Sequence, residues 1–565
     1  SSSTPTTAAA TDDTPATPTP TTQLNFESVA GSDLDQLHVA EGYETQVLIP
    51  WGTGILGAYP GFDDTGTTTN DATEQAQQVG TNHDGMYFFP VEGSSERGLL
   101  VVNHEYTNSG TLYGNAGRRE DAAGAPTDAD QVRKDIHCHG VSVVEIVKGG
   151  DGQWFPINTG YNRRITAATP MDLTGPAAGH PLLVTPYDNS GRSTRGTVNN
   201  CGNGTTPWGT YLTCEENIQG YLTDQSSPVS PEKDRYGINS FGFGYRWANV
   251  AGDLSEVDRE FERWDTTPTG AGPTDDFRNE ANCFGWMVEI DPRDPMSTPK
   301  KRTAMGRFRH EGSATSRQIT GQPLAFYMGD DARFEYIYKF VTADNWDPAN
   351  PPANMLDRGT LYVARFDADG TGEWLALDWS SSPTLQANFG GQAEVLIYAR
   401  IAADLLGATP MDRPEWSTVD QQTGEIYLTL TTNTRRGNAG LPGGDAANPR
   451  APNSHGHVIR FREDGDRADA TTFAWTIFVF GSEASGDADQ NRSGLTLDNE
   501  FASPDGLWMD PRGLLWIQTD NGAPLDSNSN DQVLAVLPSE LSGDRTITAD
   551  TQDHLRRLFV GPSGC

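Results

Sequence analysis

The chain has 565 residues, a formal net charge of −37, 35% apolar residues and a mean hydropathy of −0.56. No apolar run is long enough to span a bilayer, so a soluble chain with no membrane partner is expected. So acidic a surface repels polyanions, which excludes nucleic acid as a natural partner.

Residues 1–23 are rich in Ser, Thr, Pro and Ala and cannot bury a core. A disordered tether is expected there, of the kind left between a cleaved export signal and a folded domain. From residue 24 to 565 strand-like runs dominate. In chain order they are MYFFPV, GLLVVN, VSVVEIV, TYLTCEE, AFYMGDD, EYIYKFV, GTLYVARF, EIYLTLTT, HVIRFRED, GLWMDPRGLLWIQTD and QVLAVL. Each is short, β-branched or aromatic, and bounded by Gly, Asp, Asn or Pro. Helical stretches are few: DADQVRKDIH near residue 128 and ADLLGA near 403.

The strands repeat. Each unit enters a first strand through a polar loop with an acid or thiol, turns tightly, and leaves the second strand on another polar cluster. HDGMYFFP (His83, Asp84) is answered by LLVVNHEY (Asn103, Glu105), and NNCGNG (Cys201) by TYLTCEEN (Glu215, Glu216). RHEGSA (His310, Glu311) is answered by FYMGDDAR (Asp330, Asp331), RPEWS (Arg413, Glu415) by IYLTLTTN (Asn433), and SPDGLWMD (Asp505) by LLWIQTDNG (Asp520, Asn521). Two further strands follow each pair. Four strands per unit predict an all-β protein, a β-propeller with long insertions, whose entering loops converge at one mouth of a central channel. The plain alternative is that the acids cap strand ends for solubility.

A ring of carboxylates repels itself unless cations sit among them. Oxygen ligands alone favour calcium, and a thiolate adds preference for a transition metal. The five cysteines, Cys138, Cys201, Cys214, Cys283 and Cys565, are too sparse for a disulfide framework. Cys201 lies in a Gly/Asn turn, as a ligand would, whereas Cys214 in TYLTCEE suits a core. His137, Cys138 and His139, read as a strand, would alternate faces and could not reach one ion. Arg413, two residues before Glu415, could neutralise the acids or grip an anion in bidentate fashion. Cations plus an arginine suit a phosphoryl group.

The order HDGM, VVNHEYT, NNCGNG…PWGTYLTCEEN, GRFRHEG, YMGDDARFEYIYKFV, RPEW, SPDGL and TDNG resembles the PhoX family of alkaline phosphatases, from about residue 24 to the last. The resemblance implies a six-bladed propeller and export by the twin-arginine route to the periplasm or outside. It implies phosphomonoester hydrolysis on an iron(III)–calcium cofactor with a bridging oxide; a monomer acting on small molecules is expected. Carried onto this chain, it makes Cys201 the iron ligand, with Glu216, Glu311, Glu415 and Asp505 completing the metal set and Arg413 binding phosphate. Glu216 is preferred to Glu215 because it aligns with Glu105; Glu289 is set aside as lying on an outer strand. Asp84, Asn103, Glu105, Glu215 and Asp331 are further candidates for metal or substrate. In the family an acid and a further strand pair follow the position of Cys565. The sixth blade is therefore expected either to be completed by N-terminal strands or to be incomplete at the C-terminus.

Two other readings use the same acids: a calcium-dependent propeller hydrolase of lactones or organophosphates, and a non-catalytic propeller stapled by calcium. Neither needs a thiolate. Cys201→Ala is expected to abolish both bound iron and phosphatase turnover under the first reading. Retention of full activity by that variant would favour the other two.

Overall fold

A computed structural model describes residues 24–57, 70–251 and 255–564. The expected tether at 1–23 and Cys565 lie outside the described residues. The described chain is mostly β, and its longest helix, Ala129–Cys138, has only 10 residues.

Five antiparallel meanders of four strands each carry the fold. The first comprises His83–Pro90, Arg97–His104, Gly140–Lys148 and Trp154–Ile157. The second comprises Asn200–Thr205, Tyr211–Glu215, Met287–Ile290 and Lys300–Arg302. The third runs through His310–Thr315, Pro323–Asp330, Ile337–Asn345 and Gly359–Phe366. Pro414–Val419, Ile426–Leu430, His457–Glu463 and Thr472–Phe480 form the fourth. Pro504–Met509, Leu515–Thr519, Gln532–Val536 and Arg556–Val560 form the fifth. Four strands per repeat is what the sequence pattern predicts.

The strands read as near-continuous apolar runs because both faces of the inner sheets are buried. Side chains alternate between faces, and in the third sheet the two sets go to different neighbours. Phe326 and Met328 pack toward Leu212 and Met287 of the second sheet. Ala325 and Tyr327 pack toward Leu428, Ile459 and Phe461 of the fourth. The same alternation sends Tyr427 to Leu507, Leu515 and Ile517 of the fifth. Phe89, Leu99 and Val101 of the first sheet meet Tyr211, Val288 and Ile290 of the second.

The two end sheets present one face each to the N-terminal segment. Phe26 and Ala40 cover Leu514, Ala535 and Leu537 of the fifth sheet. Ile49, Ile55 and Val79 cover Leu100 and Val102 of the first. The short strand His38–Val39 pairs antiparallel with Val560 and Phe559. The expectation that N-terminal strands might build a sixth blade is thus corrected: among the described residues they extend the fifth sheet, because its outer strand offers an open edge.

Two local readings resolve differently. ADLLGA is helical, within Ala399–Leu406, and stops at Gly407 in the left-handed region. The His137–Cys138–His139 trio is not on a strand. Asp128 caps a helix by accepting from the Asp130 and Gln131 amides, and the trio ends that helix. His137 faces the Ala72 carbonyl at 2.9 Å, Cys138 faces Thr81, and His139 donates to the Asp135 carbonyl and meets the Tyr221 hydroxyl at 3.0 Å. They share no ion. The four described cysteines are free and buried.

The first strands of successive sheets lie against one another, and glycine makes this possible. A Cβ on Gly202 would stand 2.3 Å from the Gly312 nitrogen of the next sheet. Gly202→Ala must therefore separate two backbones rather than displace a side chain. It is expected to destabilise the fold by about 1–3 kcal/mol. Chemical denaturation of the variant checks this, and an unchanged midpoint would contradict the close approach.

Candidate active site

Asp84, Cys201, Glu311, Glu415 and Asp505 occupy one equivalent position, the second residue of the first strand in each sheet. In every sheet the pairing register slips across this residue or just beyond it. Such a bulge turns a side chain out of the pleat. Two residues earlier, Asn82, Asn199, Arg413 and Ser503 have left-handed backbones, with φ of 49°, 48°, 54° and 53°. Non-glycine residues are strained there, which is common at functional sites. A second equivalent position, directly after the second strand, holds Glu105, Glu216, Asp331, Thr431 and Asp520.

These positions meet. Asp84, Glu105 and Cys201 form one group, Cys201, Glu216 and Glu311 a second, and Glu311, Glu415 and Asp505 a third. Within each, the donor atoms lie no more than 4.8 Å apart. Cys201 and Glu311 are shared, so six carboxyl groups and one thiol form a continuous row. The Cys201 sulfur is 2.7 Å from Glu216 Oε2. Arg413 donates from Nε and Nη2 to the two oxygens of Asp331, each at 2.9 Å, and from Nη2 to Glu415 at 3.1 Å. Among the described residues its Nη1 has no hydrogen bond.

Other predicted residues lie near the row but face elsewhere. Asn103 spends its amide on the fold: it donates to the Cys201 and Gly202 carbonyls and accepts from Tyr211 and Thr213. Glu215 points away from the row, accepting from Lys301 Nζ at 2.9 Å and from the Trp286 amide. The set-aside Glu289 is held by Trp208, Thr210 and Arg302. Asp520, in TDNG, stands outside the candidate set that the motifs point to. It lies at the exposed rim, where its charge raises the pKa of Asp84 and Glu105. Its place in the second equivalent position was the available signal.

The row is electrostatically unstable when bare. Burial, and then the neighbouring carboxylates, push Asp84, Glu216, Glu311 and Glu415 well above the usual carboxylate range. Burial likewise carries Glu105 to about 7 and Asp505 to about 6. Burial and the adjacent Glu105, Glu216 and Glu311 push the Cys201 thiol up. Asp331 is the exception: burial opposes its charge, but Arg413 holds it below the ordinary value. A cation would reverse each of the upward shifts, since metal binding favours the deprotonated donor. The residues fit such ions. Asp505 Oδ1 is buried with no hydrogen-bond partner, and the Cys201–Glu216 contact aims two donors at one region. Buried groups are rarely left unpaired unless a partner belongs there.

Residues 24–565 match the family described as alkaline phosphatase PhoX. Among solved structures, Pseudomonas fluorescens PhoX in complex with vanadate, a transition state analogue, matches with a TM-score of 0.84 at 39% sequence identity. The match covers 96% of this chain and 90% of that one. A luciferin-regenerating enzyme reaches a TM-score of 0.26 at 8% identity, over 86% of this chain and 80% of its own, too remote to bear on the fold. No curated protein matches the chain. The class is therefore that of a phosphatase of mostly β architecture. More particularly, the chain belongs to the PhoX family of alkaline phosphatases and hydrolyses phosphomonoesters. The family is metal-dependent, and the acidic groups described here could bind metals.

Because the folded-state pKa of Asp505 and Glu105 is raised, their contribution to stability is complete only below the unfolded value, near pH 4. It is lost as pH rises through about 6 and 7. Metal-stripped protein is thus expected to lose thermal stability between pH 5 and 8 and to regain it on addition of calcium. Thermal unfolding with and without chelator measures this. A stripped protein that stabilises over that interval would show the acids are otherwise neutralised.

Proposed function

We propose that this phosphatase works on an iron(III)–calcium centre with a bridging oxide, held by Cys201, Glu216, Glu311, Glu415 and Asp505. Asp84 and Glu105 extend the donor set on the far side of Cys201. The observation that carries the reading is the continuous row of six carboxyl groups about one thiol. Carboxylate oxygens suit calcium, and the single sulfur suits iron on its side. The five meanders are read as blades of a propeller, six-bladed by family resemblance, with the row at the channel mouth. Support comes from the stacked sheets and from first strands that lie side by side.

When bound, the ions supply the Lewis acidity that polarises the phosphoryl group and withdraws charge during in-line displacement. The chain supplies position. Asp331 fixes the Arg413 guanidinium by a two-point contact, leaving Nη1 to meet an equatorial phosphate oxygen. Glu415 braces the same guanidinium from the row. Arg413 thus provides one fixed positive charge in a strongly acidic setting, which draws the phosphate monoester to the row. No helix of the described residues is long and apolar enough to cross a membrane. We read the enzyme as an exported monomer that releases phosphate from small esters in the periplasm or beyond. The basis is family resemblance and the tether-like composition of residues 1–23.

Elemental mass spectrometry of the purified chain, beside its p-nitrophenyl phosphate turnover, tests the centre. Iron and calcium together with turnover are expected. Turnover on calcium alone would remove the role assigned to Cys201.

A further inference from the structure

Beside the row of donors lies a cleft of about 510 Å³ whose lining includes Glu105 and Asn199. Glu105 itself belongs to the row, and Asn199 Oδ1 is 3.6 Å from the Cys201 sulfur, so the cleft adjoins the site. Its outer walls are aromatic. Tyr106 follows Glu105 in the chain and is 38% exposed, and Phe243 on the inserted loop is 57% exposed. Tyr245 lines the cleft too, stacked on Tyr221 with ring centroids 4.7 Å apart and an interplanar angle of 11°.

The polar groups around these rings are already committed. Arg118 donates to the Tyr245 and Gly244 carbonyls and to Glu120, so it pins the loop that carries Phe243 rather than reaching for a ligand. The Tyr245 hydroxyl accepts from the Thr107 amide, and the Tyr113 hydroxyl donates to the Gln131 carbonyl. Asp135 accepts from Thr107 and Trp247. Gly220 leaves room for the Phe243 ring, since a Cβ there would stand 2.1 Å from it. The exposed rings of Tyr106 and Phe243 face this space, in a lining with more acids than bases.

We propose that this cleft receives the alcohol half of the substrate and selects an uncharged, flat aromatic group, with Phe243 and Tyr106 as its walls. The inference rests on the phosphatase reading and deepens it. A phosphate held at the row would direct its ester substituent into a neighbouring cavity, and this one adjoins Glu105 and Cys201. Aromatic surfaces favour offset-stacked or edge-on contact with another ring. The acids Glu105, Glu120 and Asp135 disfavour an anionic substituent.

The test is steady-state kinetics of the metal-loaded enzyme on p-nitrophenyl phosphate and glycerol 3-phosphate, in wild type, Phe243→Ala and Phe243→Tyr. Taking each variant relative to wild type cancels the different intrinsic reactivity of the two esters. In Phe243→Ala the ratio of kcat/KM for the aryl ester to that for the glycerol ester is expected to fall about three- to tenfold, mainly through KM. Phe243→Tyr should restore it, which a mere loss of loop structure would not explain. An unchanged ratio, or an equal fall for both esters that Phe243→Tyr repairs, would overturn the cleft's role while leaving the phosphatase intact. Failure of loaded wild-type enzyme to hydrolyse either ester would overturn both.

Discussion

Like charges crowded out of water repel, and the interior of this protein is organised around that repulsion. Six carboxyl groups share a row with one thiol, and the Arg413 guanidinium reaches into it. In the bare protein the conflict is relieved by protons, as the raised pKa values of Glu105 and Asp505 show. A cation relieves it more completely. The same constraint explains the architecture. No one strand could hold so many acids together, because side chains alternate between faces. Five sheets, each contributing one residue from the start of its first strand, can. The bulge beside each donor and the left-handed residue before four of them are costs accepted to aim side chains at a common point.

The rest of the interior serves to keep those five donors in place. Sheets stack through cores made of alternate residues, so Tyr327 and Met328, adjacent in sequence, belong to different cores. Buried polar groups carry the register inward. Asn103 ties the first sheet to the carbonyls on either side of the Cys201–Gly202 peptide bond. Lys301 and Glu215, both buried, pair behind the second strand of the next sheet, so that Glu216 alone turns to the row. Removing one member of such a pair leaves an uncompensated buried charge. This is the physical difference between two adjacent glutamates that look alike in sequence.

Much of this was legible in the residues. The motifs HDG, NCG, HEG and PDG each couple a donor to a glycine. The donor marks the site, and in the first three the glycine, as at Gly202, marks where the next first strand passes closely. Short β-branched runs between turn residues gave the four-strand units. Other features were not legible because they depend on partners distant in the chain. The N-terminal segment shows no strong strand pattern, since its apolar residues are spaced to cover two different sheets. His137, Cys138 and His139 looked like a strand until the Asp128 cap is weighed. The aromatic cleft draws Tyr106 and Tyr245 together across 139 positions with no periodicity to announce it.

One pairing has a kinetic meaning. Residues 38–39 hydrogen-bond to residues 559–560, so the first described strand of the chain completes its last sheet. That pairing must wait for a strand some five hundred residues further along the chain. The contact therefore closes a loop of some five hundred residues, whose entropic cost is met only after the intervening sheets have compacted. Until then the apolar face of the fifth sheet that Phe26 and Ala40 cover stands open to water and to other chains. Folding of this enzyme is thus a matter of timing as well as stability, because one edge of the fifth sheet is closed by residues far away in the chain.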